Sequence, residues 1–185
     1  YRRQRQMCIR DRYNGETRVM HYLEFLRDEV GFETIKSKVV KPLNRKIAAY
    51  YGCLLLRPSK VMAFDNPENP SLMEKFIEAL GGTPVTYAFK NECCGAYQSV
   101  KNPELTKAKS RKILENAAAA GAAEIATVCP LCHYNLKENG GGALKVIDLP
   151  ALICEALGAE CENRVTCAAA GKTCAACGAA EGGNV

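Results

Sequence analysis

Three short apolar runs each deliver the chain to cysteine. KIAAYYGC reaches Cys53, TPVTYAF leads into Asn91-Glu92-Cys93-Cys94-Gly95, and EIATVC stops at Cys129, with Cys132 closing the CPLC step. The first run, KIAAYYGCLLL, is apolar on both faces, which suits a strand buried in a parallel sheet. Amphipathic segments of helical period separate the runs. Over RVMHYLEFLRDEVG, Val19, Tyr22, Leu23, Leu26 and Val30 fall near one face, and Gly31 is placed to end the helix in a left-handed conformation. Ser71 and Glu74 read as a capping box opening a second helix with a stripe of Leu72, Met73, Phe76, Ile77 and Leu80, stopped by Gly81-Gly82. Asn102-Pro103 opens a third, which continues through LTKAKSRKILENAAAAG on good helix formers. KVIDLP supplies a fourth strand and PALICEALG a final short helix. Strands alternating with helices predict an α/β fold: an open, mainly parallel, four-stranded sheet with helices on both faces, Rossmann-like and three-layered.

In such a sheet the carboxyl ends of the strands share one edge, where ligands bind between the loops. Cys53, Cys93, Cys94, Cys129 and Cys132 should therefore converge although they are far apart in sequence. Thiolates are soft ligands suited to iron–sulfur clusters or zinc, and a C-x2-C turn presents two sulfurs to one metal centre. The vicinal pair is less ordinary, because adjacent side chains of a strand point to opposite faces. Both can face one site only from an irregular loop, which Gly95 makes easier.

The chain has 185 residues, 48% of them apolar, enough for one domain with a core. Eleven cysteines in a chain of that size do not read as a secreted disulfide framework, and reduced, clustered thiols point to metal. No run approaches the roughly 18 apolar residues of a membrane-spanning helix, nor is there a signal-peptide pattern, so the expected location is cytoplasmic, without direct membrane insertion. The net charge of +5 owes much to YRRQRQMCIRDR, where five arginines oppose only Asp11. A basic patch confined to one arm is weak support for nucleic-acid binding, and none is expected.

The order C-x39-C-C-G, then C-P-L-C, with AAYYGCLLLRP around Cys53 and ECCGA around Cys93, resembles the cysteine-rich CCG domain of the heterodisulfide reductase B-type subunit family, in its carboxy-terminal repeat. The resemblance covers roughly residues 17 to 158. It implies that Cys53, Cys93, Cys94, Cys129 and Cys132 bind a non-cubane [4Fe-4S] cluster, with no bridging cysteine assigned. It implies a redox subunit that takes electrons from a subunit with cubane clusters and a flavin-containing subunit and delivers them to a small-molecule disulfide. Members of the family usually carry two such repeats, and here a basic arm stands where the first would be. Related CCG domains occur in iron–sulfur subunits of glycolate, lactate and succinate oxidoreductases, so an electron-transfer subunit of that type is one alternative. A closed structural zinc site built on Cys129, Cys132 and the vicinal pair is another.

Other residues divide less sharply. His133, directly after Cys132, is a candidate proton donor or cluster-supporting group, or simply the start of a helix. Arg57 could compensate an anionic cluster or hold a substrate anion, or form a surface ion pair, and Lys60 and Lys90 are weaker versions of the same idea. His21 reads as a surface or packing residue and Cys154 as core. Residues 1–14, with Cys8, are expected to be a disordered or non-native leader, and residues 15–159 the iron–sulfur domain. Residues 160–185 are expected to be a low-complexity tail, although Cys161, Cys167, Cys174 and Cys177 could in principle form a four-sulfur site.

Overall fold

A computed structural model describes residues 15–159, so the expectations for the leader and for the tail cysteines lie outside the described residues. Four strands form one sheet: β1 (Lys46–Tyr50), β2 (Thr83–Val85), β3 (Glu124–Thr127) and β4 (Lys145–Asp148). The order is β2-β1-β3-β4 and every pairing is parallel, with Ile47 opposite Pro84 on one side and Glu124 on the other, and Ile125 opposite Val146. Seven α-helices accompany them among the described residues: α1 (Tyr22–Phe25), α2 (Phe32–Ser37), α3 (Ser59–Met62), α4 (Leu72–Ala79), α5 (Pro103–Ala119), α6 (Pro130–Asn139) and α7 (Leu149–Ala156).

The period-2 alternation of β1 splits the core in two. Ile47 and Ala49 point to one face, where Leu23, Met73, Phe76, Ile77 and Leu152 from α1, α4 and α7 cover them. Ala48 and Tyr50 point to the other, under Ile113, Leu114 and Leu136 from α5 and α6. Burial on both faces explains why the strand reads as a continuous apolar run. The connection after β1 runs through α4 on the first face, and that after β3 through α6 on the second. Adjacent loops therefore part between β1 and β3, the topological switch point where open α/β sheets form their crevice.

Several local expectations are corrected. The helix over residues 18–31 is not continuous: α1 passes into a π-helical turn over Leu26–Val30, which Gly31 ends at positive φ (φ 79°, ψ 148°), its N–H bonded to Leu26 O, and Gly31 is also the N-cap of α2, a helix with no counterpart among the expected elements. Val19 stays 90% exposed because it precedes the first turn. The β1 strand stops at Tyr50, since Gly52 (φ 67°) turns the chain away from the sheet. Ser71 makes no capping bond; Asp65 Oδ2 accepts from the Ser71 and Leu72 N–H groups at 2.7 Å each, which leaves Glu74 available elsewhere. Asn102 does cap α5, accepting from Leu105 N–H at 3.1 Å, with Pro103 in the first turn. Cys154 is only partly buried.

Candidate metal centre

Each cysteine of interest sits where backbone geometry has just released the chain from the sheet. Cys53 follows the Gly52 turn, and its carbonyl accepts from Leu56 and Arg57 N–H at 3.3 and 3.1 Å. Cys93 and Cys94 lie in the loop after β2, and Gly95 in the left-handed region (φ 80°) bends the chain back so that the Cys93 sulfur accepts from Gly95 N–H at 3.3 Å. Cys129 is the N-cap of α6 and Cys132 lies in its first turn.

The five thiols line one pocket, of about 340 Å³ including its open mouth. Its other walls are almost wholly apolar, from Tyr51, Leu55 and Ala96, and exposed Leu54, Tyr97 and Leu131 stand at the rim. Cys94 and Cys132 are buried with their sulfurs in hydrogen-bond contact at 3.7 Å. The bond to Cys132 brings the Cys94 thiol down to about 6 against the opposing cost of burial, with Ala96 N–H, Asn135 and Tyr50 adding to it. Cys132 is correspondingly pushed up, by the bond to Cys94 and by burial. Cys53 is raised by burial and by the Cys93 sulfur beside it. No three His, Cys, Asp or Glu side chains among the described residues are gathered around one ion position. A single tetrahedral ion, with every sulfur about 2.3 Å from one centre, would require them to draw in.

The donor set fits an iron–sulfur cluster. It offers five soft thiols in an apolar recess, and a glycine where a side chain would intrude: a Cβ on Gly52 would lie 3.1 Å from Cys132 Sγ.

Groups that linear reading passed over hold this arrangement. The Asn135 amide, one turn beyond Cys132, donates to Cys94 O at 2.8 Å and to Ser110 Oγ at 3.2 Å. Thr106 Oγ1 donates to Gly95 O at 3.0 Å, and Tyr50 OH donates to Glu92 O at 2.7 Å. Only the adjacent tyrosines at the end of the apolar run, which pack into the two different halves of the core, offered a signal in the sequence. Of the other candidates, His133 turns away from the pocket: its Nδ1 lies 2.9 Å from Asp148 Oδ1 at the end of β4, out of line for a hydrogen bond. Arg57 is exposed and 3.5 Å from Glu68, and Lys60 is also exposed. Lys90 is largely buried and bonded to Glu74, while His21 caps α1 and packs edge-on against Phe64.

Comparison with known proteins agrees with this geometry. The cysteine-rich domain family CCG matches residues 47–137. The chain is 37% identical over 133 residues to the B-type subunit of the ferredoxin/F(420)H(2)-dependent CoB-CoM heterodisulfide reductase of Methanosarcina acetivorans, covering 68% of this chain and 44% of the relative. It is 38% identical over 126 residues to the 8-methylmenaquinol:fumarate reductase membrane anchor subunit of Wolinella succinogenes, covering 67% and 43%. The D-type subunit of a dihydromethanophenazine:CoB--CoM heterodisulfide reductase of Methanosarcina barkeri is 32% identical over 151 residues, covering 76% and 34%. The chain thus spans less than half the length of these relatives, and no helix among its described residues is long and apolar enough to cross a membrane. With its cysteine order, its parallel sheet and these relatives in agreement, the chain belongs to the family of heterodisulfide reductase B-type subunits and carries that family's cysteine-rich CCG domain.

Proposed function

We propose that Cys53, Cys93, Cys94, Cys129 and Cys132 ligate a non-cubane [4Fe-4S] cluster, and that the chain is the iron–sulfur part of an oxidoreductase that reduces a disulfide between small thiol cofactors. The observation that carries the reading is the convergence of five thiols, from the ends of three neighbouring strands, on one apolar pocket. Five thiols exceed the four of a closed zinc site and suit a centre whose irons take separate ligands.

Cleaving a disulfide to two thiols consumes two electrons and two protons. The bound cluster would supply the electrons one at a time. The chain's own contribution is positional: α6 presents Cys129 and Cys132 from its N-terminal turn, while Gly52 and Gly95 turn Cys53 and the vicinal pair toward them. Leu54, Tyr97 and Leu131 offer an apolar rim against which the carbon chain of a disulfide could exclude water. Electrons would come from a partner subunit with cubane clusters and from a flavin-containing subunit.

Metal, acid-labile sulfide and electron paramagnetic resonance on anaerobically purified protein test the proposal. About four irons and four sulfides per chain, lost in Cys132→Ser because a hydroxyl is a hard and seldom ionised ligand, is the expected result. One zinc and no sulfide would replace it with the structural zinc reading. The similarity to a fumarate reductase subunit favours a second reading, in which the same centre passes electrons within a fumarate- or succinate-type complex. A full cluster whose spectrum ignores added disulfides would support that reading.

A further inference from the structure

Glu74 is absent from the pocket, yet both of its carboxylate oxygens are taken up by residues that lead into the cysteine loops. Its Oε2 accepts the Tyr51 hydroxyl, and its Oε1 accepts Lys90 Nζ at 2.9 Å. Lys90 also donates to Pro70 O at 2.6 Å, and Tyr51 OH accepts Met73 N–H at 2.7 Å. The ion pair is largely buried, with the Lys90 and Glu74 side chains 13% and 17% exposed, and Tyr51 is wholly enclosed. Burying two charges carries a desolvation cost that their attraction barely offsets, and apolar residues of the same volume commonly do as well or better. Stability alone therefore does not account for the arrangement.

The direction of the bonds accounts for it. Tyr51 is two residues before Cys53, directly after β1. Lys90 is three residues before Cys93, in the loop after β2, and its carbonyl accepts Tyr51 N–H at 2.8 Å. Glu74, on the first turn of α4, binds the side chains of both, so one carboxylate spans the two segments that present Cys53 and Cys93. Cys94 is anchored separately: its carbonyl is held by Asn135 on α6, and the next carbonyl by Thr106 on α5. We infer that Glu74 is a positioning residue that sets the spacing of Cys53 to Cys93, independently of the Cys94–Cys132 pair. The inference takes the cysteine pocket as the working site, as proposed above, but its test does not need the cluster.

In the metal-free full chain, limited treatment with diamide joins neighbouring thiols: two thiols lose two electrons and two protons, which the diazene takes up as it becomes a hydrazine. Peptide mass spectrometry then gives separate rates for the Cys53–Cys93 and Cys94–Cys132 disulfides. Glu74→Gln keeps one carbonyl oxygen to accept from Lys90 and turns an amide N–H toward the Tyr51 oxygen, so the two segments stay tied and both rates should stay within about threefold of wild type. Glu74→Leu leaves Lys90 buried without its counter-charge, so the informative variant is the double change Glu74→Leu with Lys90→Met, its fold checked by circular dichroism. There the Cys53–Cys93 rate should fall about tenfold while the Cys94–Cys132 rate holds. An unchanged Cys53–Cys93 rate in the double variant, or both rates falling together, overturns the inference. Iron content of the same variants reports separately on the cluster proposal, so the two can fail independently.

Discussion

Replacing Gly52 by alanine perturbs the backbone and the site by amounts that can be told apart. Gly52 has φ 67°, and an L-residue in the left-handed region costs about 1–2 kcal/mol. At roughly 2–4 °C per kcal/mol for a chain of this size, the metal-free protein should lose about 2–8 °C in Tm. The second effect is local. The added Cβ would stand 3.1 Å from Cys132 Sγ, closer than ordinary contact, and the sulfur must give by a few tenths of an ångström. That displacement is small for folding but falls on a proposed ligand. Gly121→Ala supplies the control: φ there is 86°, in the turn closing α5, and the nearest atom to its Cβ would be Lys46 Nζ at 4.0 Å. Thermal unfolding of the metal-free variants should show similar losses of Tm. Iron and sulfide after anaerobic reconstitution should stay near wild type in Gly121→Ala and fall below about half in Gly52→Ala. Equal iron content and identical spectra in the two variants would refute the reasoning, because Gly52 would then serve only the turn.

Arg45→Ala removes the guanidinium that lies 2.5 Å from Glu124, a carboxylate only 5% exposed, and 2.7 Å from Glu155. Urea unfolding should show a loss of about 2–3 kcal/mol, less than a fully buried pair would give, because Arg45 is itself partly exposed and Lys145 remains 3.9 Å from Glu124. Arg45 also holds Glu155 below its ordinary value of 4.5, so the stability this contact supplies is present above that pH and is lost as pH falls through the lower folded value. Arg45→Ala should therefore flatten the decline in stability measured below about pH 4.5. His133→Ala should leave iron content and the resonance spectrum unchanged, since the ring faces Asp148 rather than the thiols; loss of iron would place His133 among the groups that orient them. Deleting residues 160–185 should leave iron per chain unchanged, because the proposed ligands all precede them, and a fall on truncation would show that the tail thiols bind metal.

What the sequence determined by itself rests on local or periodic signals. The both-face apolarity of KIAAY marks a parallel strand, Asn102-Pro103 marks the start of α5, and the cysteines at the strand ends follow from the rule that parallel strands share a carboxyl edge. What only the tertiary structure decided are choices among partners that local chemistry leaves equivalent. Ser71 and Glu74 satisfy the spacing of a capping box, but Asp65 reaches the amides first and Glu74 is drawn to Tyr51 and Lys90, whose nearness depends on β1 lying beside β2. His133 adjoins Cys132 in the chain yet points elsewhere, because side chains one position apart on a helix diverge by about 100° and its turn of α6 faces the end of β4. Asn135 lies one turn beyond Cys132 and so returns to the cysteine side, but its partner Cys94 is 41 residues away in the sequence. That bond exists only because β3 pairs with β1 and β1 with β2, and strand order is a property of the whole sheet, which no window of residues carries.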